Sequence, residues 1–282
     1  METLCTLREA ILKDCQTDRI FDDVTAHLLG AEGEKKCHAI VLSREDGVFS
    51  GIAVLSAFEE LFKKDIQVDS KIKEGERIKK GDVLAILSGP IGVCLSLERT
   101  LLNYLSHLCG VATLTSKFVE KTQNRKTKIL ATRKTLPGLR DLQLTAVQAG
   151  GGYTHRRSLS DGILIKDNHI AMLDEKTLLI NAERTRSPLH RVEIEIQNLS
   201  QLQKVLEYSP DIIMLDNMSI EDMRTALFLI REKKSGRTRT EISGGVNLET
   251  IAKLSELNVD YISVGQLTHS APSLNLTMDF EK

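Results

Sequence analysis

The sequence predicts an α/β protein in which an N-terminal α/β sandwich-like domain is followed by an open, incomplete α/β barrel. Its 282 residues, 41% of them hydrophobic, are enough for one large or two moderate domains with buried cores. Up to about residue 110 the pattern is mixed, whereas from residue 128 short apolar runs alternate with helix-like segments. That alternation implies parallel strands joined by right-handed crossovers. We assign residues 1–110, completed by the tail 270–282, to the first domain and residues 111–269 to the barrel.

Charge and hydropathy exclude several classes of protein. The 38 Lys and Arg residues balance 39 Asp and Glu residues, so a general binder of nucleic acid is not expected. No segment reaches the roughly 18 to 20 apolar residues needed to cross a bilayer. The N-terminus METLCTLREA lacks the basic start and apolar run of an export signal. We expect a cytoplasmic protein that uses neither a membrane nor nucleic acid.

The five cysteines form no C-x-x-C pair, and their number is odd. A disulfide framework or a structural zinc site is therefore not expected, and reduced, mostly buried thiols are.

The first domain is expected to begin with a helix over residues 3–14. Three strands are then predicted, at residues 37–42, 47–53 and 66–68. The stretch KIKEGERIKKGDVLAILSG is punctuated by Gly75 and Gly81 and resembles the hammerhead of lipoyl and biotinyl carrier domains. Its lysines lack the context of a displayed acceptor, so a small antiparallel sheet is the favoured interpretation. The spacing of apolar residues over 97–122 predicts one or two helices.

Six short apolar runs are the expected strands of the barrel: Lys128–Ala131, Gly162–Ile165, Arg191–Ile196, Asp211–Leu215, Thr240–Ile242 and Asp260–Val264. Helices are expected between the later ones, at Ser200–Glu207, Ser219–Lys233 and Leu248–Leu257. No G-x-G-x-x-G motif follows a strand, which disfavours a dinucleotide-binding fold.

In such a barrel the active site lies at the carboxyl ends of the strands, which makes the barrel the expected catalytic domain. Polar or glycine residues follow every predicted strand: Thr132, Arg133 and Lys134; Lys166 to His169; Glu195; Asp216 and Asn217; Ser243, Gly244 and Gly245; Gly265 and Gln266.

Cations are concentrated after the first two strands. Arg133, Lys134 and Lys166 end strands, and His155 and Arg156 lie between them in GGGYTHRR. Arginine and lysine together suit carboxylate or phosphate oxygens, so we expect an anion here. Arg140 and Arg157 are better explained as solvated surface residues. His155 fits either a ligand contact or a satisfied core histidine.

Carboxylates follow in the middle of the barrel. Glu193 and Glu195 of VEIEI share one face, because side chains alternate along a strand. Glu195 and Asp216 could hold a sugar diol, or Mg²⁺ through water. For Glu193 an internal salt bridge is an equally good interpretation.

Glycines end the last two strands, in Ser243-Gly244-Gly245 and Val264-Gly265-Gln266. They leave backbone N–H groups accessible, and barrels often bind phosphate after their seventh and eighth strands. The predicted site therefore fits a ribose phosphate beside a second, anionic substrate.

Seven segments in order resemble the quinolinate phosphoribosyltransferase family: TRKTLPGLR, GGGYTHR, LIKDNHI, VEIEI, IIMLDNMS, ISGGV and YISVGQLTHSAP. The resemblance runs from about residue 20 to the C-terminus and includes the helical stretch LERTLLNYLSHLCGVATLT. It implies conversion of quinolinate and phosphoribosyl pyrophosphate to nicotinate mononucleotide, pyrophosphate and CO₂, with Mg²⁺, in the de novo synthesis of NAD.

The resemblance also implies roles for residues. Arg133, His155, Arg156 and Lys166 would bind the quinolinate carboxylates, with Thr132 alongside. Lys134 would bind the phosphoribosyl substrate, and Glu195 and Asp216 the ribose hydroxyls and Mg²⁺. The 5′-phosphate would lie on Ser243, Gly244, Gly245, Val264, Gly265 and Gln266. Arg99 would reach the neighbouring subunit's site in a homodimer, with further assembly left open. The implied catalytic residues are Lys134, Lys166, Glu195 and Asp216.

Some positions depart from the family pattern. Ala131 stands where an Asp is usual, Gln197 replaces an acidic residue, DLQLTAV replaces a more charged helix, and TDRIFDDVT is a degraded form of an early motif. Three alternatives remain: the relative from molybdate-transport operons, a nicotinate-using phosphoribosyltransferase, and a non-enzymatic ligand-sensing homologue. The run LIKDNHI disfavours the first, the number of cations the second, and the complete set Arg99, Lys134, Glu195 and Asp216 the third.

Overall fold

The computed structural model describes residues 2–122, 126–233 and 238–281, without the side chains of residues 2–5. Its contacts divide the chain into two compact units. The first unit consists of Met1–Ser116, Leu136–Gly151 and Ser270–Lys282, and the second of Lys117–Thr135 and Gly152–His269.

Strands and helices are numbered in chain order. The strands are β1 (Lys36–Ser43), β2 (Gly47–Val48), β3 (Gln67–Ser70), β4 (Arg77–Ile78), β5 (Val83–Pro90), β6 (Lys128–Leu130), β7 (Ile163–Ile165), β8 (Val192–Ile196), β9 (Ile212–Asp216), β10 (Arg239–Ser243), β11 (Tyr261–Ser263) and β12 (Leu276–Glu281). The helices are α1 (Glu2–Thr17), α2 (Ile52–Leu61), α3 (Ile91–Lys121), α4 (Arg140–Ala149), α5 (Asp167–Ile170), α6 (Glu175–Thr185), α7 (Leu199–Val205), α8 (Ile220–Glu232), α9 (Ile251–Ser255) and α10 (Gln266–His269), with 3₁₀ segments at Ile20–Asp22 and Ala26–Glu34.

The first unit contains an antiparallel sheet in the order β12-β1-β5-β3 and a separate β2-β4 pair. The strand that we predicted at residues 47–53 is wrong beyond Val48, because α2 begins at Ile52. Glu74 explains the change: its carboxylate accepts hydrogen bonds from Ser50 Oγ and from the backbone N–H groups of Gly51 and Ile52. A carboxylate that accepts such bonds stabilises the start of a helix.

The 97–122 stretch forms part of one helix, α3, which begins earlier than predicted at Ile91. Gly110 lies within it, at a point where the tail passes close by. A Cβ at Gly110 would come 2.0 Å from the carbonyl oxygen of Pro272. Only glycine allows this close approach of helix and tail.

The second unit has a six-stranded parallel sheet in the order β6-β11-β10-β9-β8-β7. Tyr153 adds one parallel bridge to Leu130 on the free edge of β6. Among the described residues no strand pairing connects that bridge to β7, so the barrel is open there. The predicted α/β class and open barrel are confirmed.

Side-chain caps define where several barrel helices begin. Asp174 accepts from Thr177 N at the start of α6, Asn198 from Gln201 N at α7, and Ser219 from Asp222 N at α8. Each cap satisfies an N–H group that the helix itself leaves without a partner. The caps thereby fix the residue at which the preceding loop ends and the helix begins. The helix predicted at 248–257 is shorter than expected and spans only Ile251–Ser255.

None of the helices in the described part of the chain is both long enough and apolar enough to cross a bilayer. Four cysteines, Cys15, Cys37, Cys94 and Cys109, are buried free thiols, as predicted. The side chain of Cys5 lies outside the described residues.

We expect the Gly110→Ala variant to lose about 1–3 kcal/mol of unfolding free energy, because its methyl group would meet rigid backbone. Gly92→Ala is the matched control in the same helix, since a Cβ there would meet only ordinary contacts at 3.6 Å or more. Urea denaturation of both variants measures the difference. Equal stability of the two would mean that the tail does not pack on α3 as described.

Candidate active site at the carboxyl ends of the strands

The strand ends of the second unit surround a cleft of about 450 Å³, which we call the upper pocket. Eleven predicted site residues line it: Thr132, Arg133, Lys134, His155, Arg156, Lys166, Glu195, Asp216, Ser243, Gly244 and Gly245. Leu164, Met214, Asn217 and Ser263 complete the lining. Side chains from six strands therefore converge on one space, as expected of parallel strands whose carboxyl ends meet.

Four predicted residues do not line the upper pocket. Val264 is buried, and Gly265 packs beside it so that a Cβ would lie 3.3 Å from Lys134 Cδ. Gln266 begins α10 and is half-buried. Arg99 belongs to the first unit, where its largely exposed side chain lines a separate cleft of about 250 Å³.

The departures from the family pattern also lie off the pocket. Ala131 is fully buried, and its backbone N–H donates to the carbonyl of Tyr153. Gln197 is exposed. Neither residue lines the upper pocket.

Two arginines of the pocket have buried nitrogen atoms without partners. Among the described residues, none accepts a hydrogen bond from the Nε atoms of Arg133 and Arg156. One further contact holds Arg156, the bond from Nη1 to the carbonyl of Gly162 at 3.2 Å. Burial and the charge of Arg133 lower the pKa of Arg156. Two like charges held in this way favour binding of an anion that can accept from both.

Hydrogen bonds hold both the backbone and the side chain of Lys166. Its backbone N–H donates to His169 Nδ1 at 2.9 Å, which places a residue of the LIKDNHI motif at the start of α5. Its Nζ atom donates to Glu195 Oε2 at 3.1 Å. Burial raises the pKa of Glu195 in spite of this lysine, and the charges of Asp216 and Asp167 add to the increase. Glu195 therefore lies where additional positive charge would be stabilising.

Asp216 is held by its neighbour, since Asn217 Nδ2 donates to Asp216 Oδ2 at 2.6 Å. Asn217 adopts a left-handed backbone with φ 53°, and its N–H donates to the carbonyl of Ser243. A Cβ at Gly244 would lie 2.2 Å from Asn217 Oδ1, so glycine is required. Gly245 also has positive φ, and no atom lies within 4 Å of where its Cβ would be. The turn thus presents backbone to open space.

The donor set fits Mg²⁺. Glu195 and Asp216 supply carboxylate oxygens to the same pocket, and Mg²⁺ is commonly held by one or two carboxylates together with substrate phosphates. The raised pKa of Glu195 has the direction expected for a carboxylate that would gain from a nearby cation.

Behind the pocket lies an inner cluster, formed by His155, Glu193, Glu241 and Ser263. His155 Nε2 lies 3.0 Å from Glu193 Oε2 and 3.7 Å from Glu241 Oε1. Ser263 Oγ donates to Glu241 Oε1. Of the two interpretations open for Glu193, the structure favours internal pairing, here with the ring nitrogen Nε2 of His155. His155, Glu193 and Glu241 line a second cavity of about 400 Å³, which we call the lower cavity.

The two carboxyl groups of the inner cluster are almost completely removed from water, with 4% exposure for Glu193 and 0% for Glu241. Burial and the charge of Glu193 raise the pKa of Glu241. One oxygen on each, Glu193 Oε1 and Glu241 Oε2, finds no hydrogen-bond partner in the part of the chain that the structure describes. Three potential metal-ligand atoms of His155, Glu193 and Glu241 lie within 4.8 Å of one another.

Sequence reasoning missed Glu241, Ser263 and Asn217. The signal for Glu241 was available, because the alternation that placed Glu193 and Glu195 inside the barrel also applies to RTEIS and puts Glu241 on the same face as Ser243. Asn217 was noted only as following a strand. Its left-handed backbone is a tertiary feature that the sequence does not reveal.

An open α/β barrel whose strand ends combine cations, two carboxylates and a glycine turn defines an enzyme that acts on anionic substrates. Comparison with models of protein families supports this class and identifies one family within it. Residues 23–109 match the N-terminal domain of quinolinate phosphoribosyl transferase, and residues 111–279 match its C-terminal domain. The chain belongs to the quinolinate phosphoribosyltransferase family.

Individual relatives are similar to this chain over most of its length. A Bacillus subtilis protein named "Probable nicotinate-nucleotide pyrophosphorylase [carboxylating]" is 38% identical over 88% of this chain and 84% of its own length. The Mycobacterium leprae nicotinate-nucleotide pyrophosphorylase (carboxylating) is 36% identical over 97% and 95%. The solved structure of the Francisella tularensis nicotinate-nucleotide pyrophosphorylase superposes with a TM-score of 0.90 at 31% identity, covering 99% of this chain and 97% of that one.

Proposed function

We propose that the upper pocket is where this chain carries out the reaction of its family, the transfer of a phosphoribosyl group to quinolinate with loss of CO₂. The products are nicotinate mononucleotide, pyrophosphate and CO₂. The observation that carries the proposal is the pair of buried, unpartnered Nε atoms of Arg133 and Arg156 in a pocket that also holds Lys134 and Lys166.

Quinolinate fits this charge pattern. It is a planar dicarboxylate, and each guanidinium can donate two parallel hydrogen bonds to a carboxylate. The charge of Arg133 lowers the pKa of Arg156 through repulsion, so a dianion between the two would offset that repulsion as well as accept hydrogen bonds from both. A monocarboxylate such as nicotinate would satisfy only part of this charge, which favours quinolinate over the nicotinate-using alternative.

The phosphoribosyl substrate fits the opposite side of the pocket. Gly244 and Gly245 offer backbone N–H groups beside open space, and Lys134 adds a point charge. Lys134 is fixed at its backbone, where its N–H donates to Thr132 Oγ1 at 3.1 Å and its carbonyl accepts from Thr268 Oγ1 at 2.8 Å. Val264, Gly265 and Gln266 would contribute through their backbone, since Val264 is buried.

Glu195 and Asp216 would hold Mg²⁺, directly or through water, together with the ribose hydroxyls. When bound, Mg²⁺ supplies positive charge that stabilises pyrophosphate as it leaves. The chain's own residues do the remainder: the hydrogen bond from Lys166 favours the ionised form of Glu195, and Asn217 orients Asp216.

The pocket requires no side-chain nucleophile. The pyridine nitrogen of quinolinate forms the bond to the anomeric carbon, and the bond from that carbon to the pyrophosphate oxygen breaks. Positioning by the arginines and electrostatic stabilisation by Lys134 are the main contributions of the protein. The quaternised ring can then accept the electron pair left when CO₂ departs, and a proton takes the place of the lost carboxylate.

A homodimer is part of the proposal. Arg99 does not line the upper pocket of its own chain, yet its side chain is 68% exposed and paired only loosely with Glu98, at 3.8 Å. An exposed arginine on the surface of the first unit is free to extend into the site of a second copy.

The Arg133→Ala variant should lose about 2–5 kcal/mol of quinolinate binding, more than about 30-fold in Kd, because Arg156 would be left without its companion donor. Arg157→Ala is the matched control, since Arg157 is exposed on the same loop as Arg156 and outside the pocket. Calorimetric titration with quinolinate and with nicotinate measures both. Wild-type protein that binds nicotinate as tightly as quinolinate would contradict the assigned substrate.

Removal of Mg²⁺ by a chelator should weaken the binding of phosphoribosyl pyrophosphate by about tenfold or more, and Asp216→Asn should remove most of that metal dependence. Glu221→Gln controls for a carboxylate that lies outside the pocket, in the helix after the same strand. Titrations with and without Mg²⁺ provide the measurement. Identical affinity in both conditions for the wild type would exclude Glu195 and Asp216 as the metal site.

A mixture of Arg99→Ala and Lys134→Ala subunits should recover about a quarter of wild-type activity, because half the dimers of a symmetric pair would be hybrids with one complete site. Each variant alone should be inactive. Activity is followed by CO₂ release after subunit exchange has been demonstrated with labelled chains. An inactive exchanged mixture would mean that Arg99 does not act across a subunit boundary.

A further inference from the structure

The resemblance assigns His155 to direct contact with a quinolinate carboxylate, but both of its ring nitrogens are already in use. Nδ1 accepts a hydrogen bond from the backbone N–H of Arg156 at 2.7 Å. An imidazole nitrogen that accepts is not protonated, so the ring proton is on Nε2. Nε2 faces Glu193 Oε2 at 3.0 Å and donates to it. The ring has no third nitrogen to offer a substrate.

Protonation of the ring would not release it for substrate. Burial opposes a charged His155, while the hydrogen bond and charge of Glu193 and the charge of Glu241 favour it, and together they raise the pKa of His155. A second proton would have to enter at Nδ1, where the Arg156 N–H already donates. The neutral ring with its proton on Nε2 is therefore the form that agrees with both contacts.

Glu241 supports the partner of this histidine. It lies on β10, next to β9, and its carboxyl oxygen Oε1 is 3.7 Å from His155 Nε2. Ser263 Oγ, from the neighbouring strand β11, donates to the same oxygen. Side chains from three strands therefore meet at His155 Nε2: Glu193 directly, and Glu241 together with its donor Ser263. On the other side of the ring, Nδ1 accepts from the backbone of Arg156.

A divalent cation is a weaker explanation of the same cluster. An ion on His155 would require the Nε2 lone pair, which carries the proton donated to Glu193. The guanidinium of Arg156 is also close enough to His155 to affect its protonation, and it would repel an added cation. The proton on Nε2 and the charge of Arg156 already act on these carboxyl groups.

We infer that Glu193 and Glu241 are positioning residues for Arg156, acting through His155. They orient the imidazole so that Nδ1 holds the Arg156 amide, and the direction of the Arg156 side chain into the upper pocket follows from that. The inference rests on the proposed binding of quinolinate by Arg133 and Arg156. It changes the role of His155 from a substrate ligand to the link between a buried acid pair and a substrate-binding arginine.

The first test requires no substitution in the acid pair. In ¹⁵N-histidine-labelled wild-type protein, long-range ¹H–¹⁵N spectra report which ring nitrogen carries the proton, and the His155 signals are assigned by their loss in His155→Asn. We expect a neutral ring protonated on Nε2 at a pH above the raised pKa of His155. A neutral ring protonated on Nδ1 would overturn the inference.

The second test compares Glu193→Gln and Glu241→Gln with Glu175→Gln. Glu175 is also a buried glutamate of the second unit, 5% exposed, and lines neither cavity. We expect each of the first two variants to raise the Kd of quinolinate about tenfold, the scale on which outer contacts of a binding histidine act. The Kd of phosphoribosyl pyrophosphate should stay within about twofold of the wild type, since the glycine turn is not touched.

The outcomes separate this inference from the proposed function. If the wild type binds quinolinate, Arg133→Ala does not, and both acid-pair variants bind like Glu175→Gln, the inference fails while the function stands. If the wild type does not bind quinolinate, the proposed function itself fails. Equal losses for both substrates would indicate general damage and would also overturn the positioning role. One equivalent of tightly held divalent metal, lost in Glu241→Gln, would replace it with a metal site.

Discussion

The guanidinium groups of Arg133 and Arg156 interact electrostatically, and no described residue accepts a hydrogen bond from their buried Nε atoms. The architecture of the upper pocket depends on that constraint. Charges buried without partners destabilise a fold, so they persist only where the surrounding structure holds them. Here the backbone of β6 places Arg133, and the inner cluster holds the segment that carries Arg156. The repulsion between these two arginines favours the binding of an anionic ligand between them.

Parallel pairing is what brings these side chains together. Residues separated by more than a hundred positions, such as Arg133 and Ser243, meet because their strands run in the same direction and end at the same rim. Side-chain caps at the starts of α6, α7 and α8 fix the residues at which the loops after the strands end. The floor of the pocket is polar as well, since the inner cluster separates it from the lower cavity.

Much of the barrel could be predicted from the sequence because its signals are local. The alternation in VEIEI places Glu193 and Glu195 inside, and β8 is completely buried as that pattern requires. The strand predicted at 47–53 failed because Glu74, more than twenty residues away, accepts the N–H groups that start α2. His155 illustrates the same limit within the site: its neighbours in sequence suggested a ligand, whereas its partners Glu193 and Glu241 come from other strands. Long-range partners decide such cases, and a motif does not contain them.

The pairing of β12 with β1 has a consequence for biosynthesis. Strand β1 forms one of its two edges with residues 276–281, although it is itself translated within the first fifty residues. A nascent chain that emerges from the ribosome must keep that edge unpaired until the last strand follows, and an unpaired edge can associate with other chains. The first unit is thus synthesised first but is among the last to be completed. During that interval the unpaired edge of β1 is the part that chaperones would need to shield from other chains.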